Sequence, residues 1–459
     1  MSEKSPNDRP DQASPRVGFG QVDISPPLGI ELAGYFEPRY AEAIHDPLEA
    51  TCLLLEACDG SRLALVSLDL IALTPADTLA CRQALAEATK APVESCLVHC
   101  THTHLGPSTI QVFGGGSEAF YVSSLPAAVA KAGLEAVATL RPVELQVGRR
   151  AASGLAFNRR HWVEAGHVEM NWGGRLPDMT GPAGPEDDEL LALFCLGEGK
   201  PVFALLNFSC HEDCIGGSKV SAGWPGFARR YFEELYPGCR ALTLVGFCGD
   251  INHLDLALPA TSPLRTGFHI ARTIGQGLAS SASLALRSAV DVDLPSLAGL
   301  AEPVSCQVRK PEAEKLARAQ KLLCREGSPD LDSAKVEVAK RENNWETTFL
   351  IEALQLAEYP DAVEVPLGVA GGGELGFAGF GGETFVEFQL ALKRHSPYAH
   401  TFCVNLANGW EGYIPTRHAF AEGGYEVQLA RSSKLAPEAG DLLLDTALLR
   451  LFEIGRAHV

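Results

Sequence analysis

Short apolar runs alternate with helical patterns along most of the chain. The runs typical of buried strands are Arg62–Leu70, Glu94–Cys100, Leu190–Leu196, Pro201–Ser209 and Arg240–Phe247. The stretches with helical periodicity are Thr74–Thr89, Ser262–Arg287 and Gly440–Ile454. This alternation predicts an α/β fold with a central mixed sheet and flanking helices.

Three segments depart from the alternation. Met1–Pro15 is polar and indicates a disordered tail, which leaves residues 16–459 as a single domain without an internal repeat. Ala152–Pro185 is rich in Gly, Pro, Arg and His and lacks periodicity, which predicts a long functional loop. Pro311–Ala357 is charged and helical in pattern, so we expect a peripheral helical excursion there.

Composition and charge narrow the class of protein. Of 459 residues, 46% are hydrophobic and 21% charged, as in globular proteins. The formal net charge of −19 disfavours nucleic acid and anionic membranes as partners. No apolar run reaches the ~18 residues of a membrane span, and the N-terminus lacks the apolar core of a signal peptide. The 13 cysteines are scattered within apolar segments, which indicates reduced thiols in a cytoplasmic protein.

The histidines are unevenly placed. His99, His102 and His104 lie within and directly after the strand Glu94–Cys100. Because side chains alternate along extended chain, His102 and His104 share one face and His99 takes the other, where we expect it to pack in the strand. Two imidazoles at a strand end predict a metal site, although hydrogen bonding in a polar loop is an equally good explanation.

His211 also follows a predicted strand. In open α/β sheets ligands gather beyond the carboxyl ends of strands, so the two strands deliver histidines to the same kind of position. Cys210 and Cys214 flank His211, but no second C-x-x-C pair completes a zinc knuckle. A simple loop histidine is the alternative.

Other candidate residues lie later in the chain. Gly249–His253, with the sequence Gly-Asp-Ile-Asn-His, faintly resembles a metallophosphoesterase element. Glu383 follows a glycine-dense stretch in which the backbone can approach a ligand closely. Tyr413 lies in a polar segment beside a proline. Each of these residues alone is at least as often structural.

Taken together, the segments resemble the catalytic domain of the neutral/alkaline (non-lysosomal) ceramidases. The blocks that carry the resemblance are Thr-His-Thr-His-x-Gly-Pro at 101–107, Asn-Phe-x-x-His at 207–211, Gly-Glu at 382–383 and Tyr-Ile-x-Thr at 413–416. They occur in the family's order, and the Thr-His-Thr-His block is the specific one. The resemblance covers most of the chain, and we expect no counterpart of the family's C-terminal immunoglobulin-like domain within this sequence.

The resemblance implies one Zn²⁺ per chain. Its ligands carry over to His102, His211, Glu383 and Tyr413, a donor set that suits zinc. His104 is then expected to act beside the metal or on the substrate. Asp69, at a strand end, is a candidate partner that orients a metal-bound imidazole.

The resemblance further implies a zinc-dependent amidohydrolase that cleaves a linear amide (N-acyl) bond with metal-activated water. Where typical ceramidases carry a serine in Gly-Asp-x-Ser-Pro-Asn, this chain has Asn252, whose amide could stabilise an oxyanion. His253, like His104, is a candidate proton shuttle.

The substrate is expected to be a small molecule. Arg159 and Arg160 could clamp a carboxylate or phosphate on it, which favours a soluble, anionic amide over ceramide and sphingolipid metabolism. Two alternatives remain open: a non-catalytic, metal-binding relic of the ceramidase fold, and a metallophosphoesterase. No integral membrane association is expected, and no pattern in the sequence specifies an oligomeric state.

Overall fold

The computed structural model describes residues 14–36, 38–111, 116–171, 178–259, 261–326 and 345–457. Over these ranges the chain is a mixed α/β protein. The strands are β1 (Arg16–Asp23), β2 (Glu31–Leu32), β3 (Arg39–Tyr40), β4 (Ala43–Ile44), β5 (Glu49–Glu56), β6 (Arg62–Leu68), β7 (Cys96–Cys100), β8 (Arg141–Pro142), β9 (Glu144–Ala151), β10 (Phe157–Asn158), β11 (Arg160–Val163), β12 (Val168–Met170), β13 (Met179–Pro182), β14 (Glu189–Gly197), β15 (Lys200–Phe208), β16 (Lys219–Val220), β17 (Arg240–Val245), β18 (Ile251–Asn252), β19 (Val290–Asp291), β20 (Ala298–Gln307), β21 (Ala362–Gly372), β22 (Leu375–Phe380), β23 (Glu383–Thr384), β24 (His400–Val404) and β25 (Tyr413–Ile414). The helices are α1 (Pro75–Thr89), α2 (Ala119–Ala138), α3 (Gly223–Leu235), α4 (Phe268–Leu286), α5 (Ala313–Glu326), α6 (Trp345–Ala357), α7 (Val386–His395), α8 (Ala419–Glu422) and α9 (Ala439–Ala457).

Three sheets form the framework. The first sheet has the strand order β7-β6-β5-β1-β8, the second β17-β15-β14-β9-β19, and the third β20-β21-β22-β24. Each contains one parallel pair joined through a helix: β6 and β7 through α1, β15 and β17 through α3, and β22 and β24 through α7. The mixed α/β class expected from the sequence is confirmed, with the strands divided among several sheets.

The core lies between the sheets and under the helices. Along β5, Leu53 and Leu55 belong to the cluster shared by all three sheets, whereas Cys52 and Leu54 face the cluster that contains α1 and α2. This two-residue alternation is why β5 is apolar throughout: both of its faces are buried. Helices α3 and α4 cover the second sheet in the same way, and α7 and α9 cover the third.

His99 connects the three sheets through hydrogen bonds. It lies in β7, is fully buried, and donates from Nδ1 to the Asn405 carbonyl at 2.8 Å. Its Nε2 accepts the amide of Val245, the last residue of β17, at 3.2 Å. Burial lowers the pKa of His99 to about 4, so the ring is neutral and can make both bonds at once. The expectation of a packed strand histidine is confirmed.

Of the two irregular segments, one differs from expectation. The stretch Ala152–Pro185, expected as a loop, carries β10 and the three-stranded sheet β12-β11-β13. Its strands are two to four residues long, too short for a periodic signal to appear in the sequence. The helical excursion contributes α5 and α6, while residues 327–344 and most of the predicted tail lie outside the described residues. Among the described residues, no helix is both long and apolar enough to cross a bilayer.

Candidate metal centre and its pocket

Three imidazoles meet where strands of two sheets end. His102 follows β7 by two residues and His211 follows β15 by three, and His104 completes the group. One ring nitrogen from each lies within 4.8 Å of the others, and the ring centroids of His102 and His211 are 4.4 Å apart. Three imidazoles at this spacing could hold a metal ion.

The backbone fixes the orientation of His102. Its φ of 66° is in the left-handed region, which is uncommon for a residue with a side chain and clusters at functional sites. Its Nδ1 donates to the Ile71 carbonyl at 2.7 Å, which leaves Nε2 facing the group. Asp69, expected to orient such an imidazole, instead pairs with Arg229 at 2.6 Å, so Ile71 supplies the orienting contact.

His104 and His211 are held in their neutral forms. Burial, followed by the charge of His102, places the pKa of each well below its usual value. The Nδ1 of His104 donates to the Gly34 carbonyl at 3.1 Å. Its Nε2 is buried and has no hydrogen-bond partner among the described residues. Neutral imidazoles keep the lone pair that a metal ion needs.

Two residues from the last third of the chain, Glu383 and Tyr413, lie beside the histidine group. They face each other in the parallel pair of β23 and β25. Trp410 donates to Glu383 Oε1 at 3.0 Å, while Oε2 lies 3.3 Å from His102 Nε2. Burial opposes ionisation of Glu383, but the charge of His102 and the bond from Trp410 hold its pKa at about 2. Glu383 is therefore a carboxylate at neutral pH.

These residues fit a zinc ion. His104 Nε2 is buried without a hydrogen-bond partner among the described residues, and Glu383 Oε2, although 3.3 Å from His102 Nε2, makes no hydrogen bond there either. Such buried polar atoms are costly unless a ligand satisfies them. Imidazole nitrogen, carboxylate and phenol oxygen together are donors that Zn²⁺ accepts. The hydroxyl of Tyr413 accepts a hydrogen bond from Arg159 Nη2 at 3.0 Å, which fixes its position beside Glu383.

The two arginines expected to bind substrate are buried and paired within the protein. Arg159 and Arg160 are each 2% exposed, and both contact the fully buried carboxylate of Glu426, at 2.7 and 3.0 Å. Arg160 also bonds Glu422 at 3.1 Å. Neither is among the described residues that line the pocket, so Arg159 supports Tyr413 from behind.

The Gly-Asp-Ile-Asn-His segment is held by structural hydrogen bonds. Asp250 Oδ1 accepts the amide of Val386 at 2.8 Å, and Asn252 donates to the side chain of Asn171 at 2.8 Å. The ring of His253 donates from Nε2 to a backbone carbonyl at 2.8 Å. None of the segment's side chains is among the described residues that line the pocket. The catalytic roles of Asn252 and His253 remain predictions.

A pocket with about 600 Å³ of empty space opens onto the metal centre. Besides the site residues, its walls include Glu31, Tyr35, Ser108 and Tyr425. Sequence reasoning assigned no role to these four. Three of them lie in no periodic element or recognisable motif, and Tyr425 lies in the Gly-Tyr-Glu stretch at 424–426 at the end of the family resemblance, where no role was assigned to it. Glu31 is in a strand of two residues and Tyr35 in a turn, where only the folded chain shows what they face.

Comparisons with solved structures agree with this arrangement. The crystal structure of neutral ceramidase from Pseudomonas aeruginosa has a TM-score of 0.74 and 20% identity, over 97% of this chain and 75% of that chain. A ceramidase complexed with C2 has a TM-score of 0.72 and 19% identity, over 97% of this chain and 76% of that chain. No protein-family sequence model matches the chain, and comparison with curated protein sequences finds no match. The chain therefore has the fold of the neutral ceramidase structures, as its sequence blocks predict.

Proposed function

We propose that this protein is a zinc-dependent hydrolase that cleaves a linear amide bond. The observation that carries the proposal is the cluster of His102, His104 and His211 beside a pocket that Glu383 also lines. Oε2 of Glu383 is buried there and makes no hydrogen bond among the described residues. The shared fold with neutral ceramidase structures supports the same reaction class. A metallophosphoesterase is disfavoured, because Asp250, the acid of the segment that resembles its motif, accepts hydrogen bonds from the amide of Val386 and from the side chain of Asn158.

His102, His211, Glu383 and Tyr413 would hold the zinc ion. When bound there, zinc would lower the pKa of a water molecule and polarise the substrate carbonyl. The chain's own contribution is to present the ligands: Ile71 fixes the tautomer of His102, and Trp410 turns Oε2 of Glu383 inward.

His104 is assigned the proton transfer to the leaving amine. Its ring lies beside both other imidazoles, with centroids 4.9 Å from His102 and 5.3 Å from His211, and Nε2 is free to accept a proton. General acid–base catalysis of this kind contributes ~10²–10⁴-fold. His104 Nε2 could instead be a metal ligand, and the zinc content of the His104→Ala variant distinguishes the two roles.

Alanine variants test the assignment. His102→Ala and His211→Ala are expected to lose zinc with little loss of fold, as measured by metal analysis and circular dichroism, because a catalytic zinc needs about three protein ligands. His104→Ala is expected to retain zinc and lose turnover. The exposed His418, whose side chain is 53% exposed, provides the control His418→Ala. Full zinc in either of the first two variants would contradict the ligand assignment, and loss of zinc in His104→Ala would make His104 a ligand.

Turnover of the zinc-loaded wild-type protein is tested on a panel of N-acyl compounds that includes ceramides and short polar amides. Hydrolysis of at least one compound, abolished by His102→Ala, is the expected result. Stoichiometric zinc without turnover of any compound would favour the non-catalytic relic instead.

A further inference from the structure

The pocket carries a second carboxylate besides Glu383, and this one has no counter-ion among the described residues. Glu31, at the start of β2, lines the pocket, and its carboxylate accepts the backbone amide of Gly116. Glu118 is adjacent, because one of its oxygens accepts the amide of Glu31 at 3.2 Å. Across the described part of the chain, no lysine, arginine or histidine nitrogen lies within 4.0 Å of either carboxylate.

Burial and the neighbouring Glu118 both work against the charge of Glu31. Burial raises the pKa of Glu31, and Glu118 raises it further, while the Gly116 amide acts in the opposite direction. A cation beside these groups would relieve both penalties at once. The wall therefore favours positive charge at this point.

Two arginines that contact pocket-lining residues are paired within the protein. The guanidinium of Arg39 stacks 3.7 Å from the ring centroid of Tyr35 and donates to the carbonyls of Ala33 and His104, each at 2.7 Å. Arg159 is bound by Glu426 behind Tyr413. No arginine or lysine is among the described residues that line the pocket. Among the described lining residues, an anionic group beside Glu31 would therefore meet a carboxylate and no arginine or lysine.

We propose that the substrate of this pocket is an amide that carries a protonated amino group, and that Glu31 selects it by an ion pair. This inference rests on the proposed amide hydrolysis and names its substrate class, an N-acylated diamine or a similar amino-bearing amide. It reverses the charge expected from Arg159 and Arg160 in the sequence. Glu31 lines the same pocket as the candidate ligands His102, Glu383 and Tyr413.

Three N-acyl substrates of equal length test the charge: N-acyl-1,5-diaminopentane, N-acyl-5-aminopentanol and N-acyl-5-aminopentanoate. The expected wild-type kcat/KM is about fivefold higher for the cation than for the neutral compound, which is the size of a partly exposed ion pair. Glu31→Gln should bring that ratio to about one, and Glu31→Lys should favour the anion. Glu144→Gln, an exposed carboxylate on β9, is the control that removes the same charge elsewhere.

A second measurement needs no turnover. We expect 1,5-diaminopentane to raise the Tm of the wild-type protein and of Glu144→Gln, and to leave that of Glu31→Gln unchanged. Hydrolysis with equal kcat/KM for all three charges would overturn the inference and leave the proposed function standing. Thermal stabilisation that depends on Glu31, without hydrolysis of any amide, would support the cation site and overturn the proposed function.

Discussion

His99 provides a direct test of how the three sheets are held together. The change is His99→Gln, which keeps an amide donor and a carbonyl acceptor for Asn405 and Val245 but removes the titratable ring. Because the folded pKa of His99 is about 4 and its ordinary value is 6.5, the unfolded chain binds a proton more readily than the folded one. Wild-type stability should therefore fall as pH drops below 6.5, and this contribution should be absent in the variant.

The size of the effect follows from the two pKa values. One unit of pKa difference corresponds to about 1.4 kcal/mol, so the ring costs about 2 kcal/mol of folding free energy at pH 5 and about 3 kcal/mol at pH 4. Above pH 7 the ring does not lower the free energy of unfolding, because it is neutral in both the folded and the unfolded chain. The other titrating groups act in both proteins and cancel in the difference.

The assay is urea unfolding of both proteins between pH 7 and pH 4. The wild-type protein should lose about 3 kcal/mol more than His99→Gln across that range, whatever their difference at pH 7. Parallel pH profiles of the free energy of unfolding would refute the reasoning. They would show either that the buried ring has an ordinary pKa or that the sheets around it open before the ring is protonated.

Two further predictions concern the support of the metal centre. Arg159→Met removes the hydrogen-bond donor to Tyr413 and should weaken zinc binding by ~10–100-fold, measured by chelator competition. The control is Arg160→Met: Arg160 pairs with the same Glu426 carboxylate but does not contact Tyr413, so zinc affinity should stay near the wild-type value. Trp410→Phe removes the hydrogen bond to Glu383 Oε1 and should weaken zinc binding by a similar factor, and an unchanged affinity would show that the bond does not orient the carboxylate.

Local features of the sequence predicted the centre of the site better than its periphery. His102 and His211 could be found because strand ends are where side chains of an α/β fold converge, and Glu383 because glycines frame it. The structure brings these three residues together with His104 and Tyr413.

The partners of charged side chains could not be predicted in the same way. Arg159 and Arg160 looked like substrate clamps because their carboxylate partner, Glu426, lies more than 260 residues away in the chain. The orienting contact of His102 is a backbone carbonyl, which leaves no signature in residue types. The short strands of Ala152–Pro185 are specified by contacts with each other, which periodicity does not record.

The three parallel pairs have a consequence for the proposed metal binding. The candidate ligands His102, His211 and Glu383 each follow a strand of a different sheet and are separated by more than 100 residues in the chain. The unfolded chain therefore offers no preformed chelate, and with the proposed ligands metal affinity would arise only when all three sheets have packed against one another. A bound ion would then tie the sheets together at their common end, so that metal loading reports completed folding and loss of metal loosens the junction of the sheets before any one sheet unfolds.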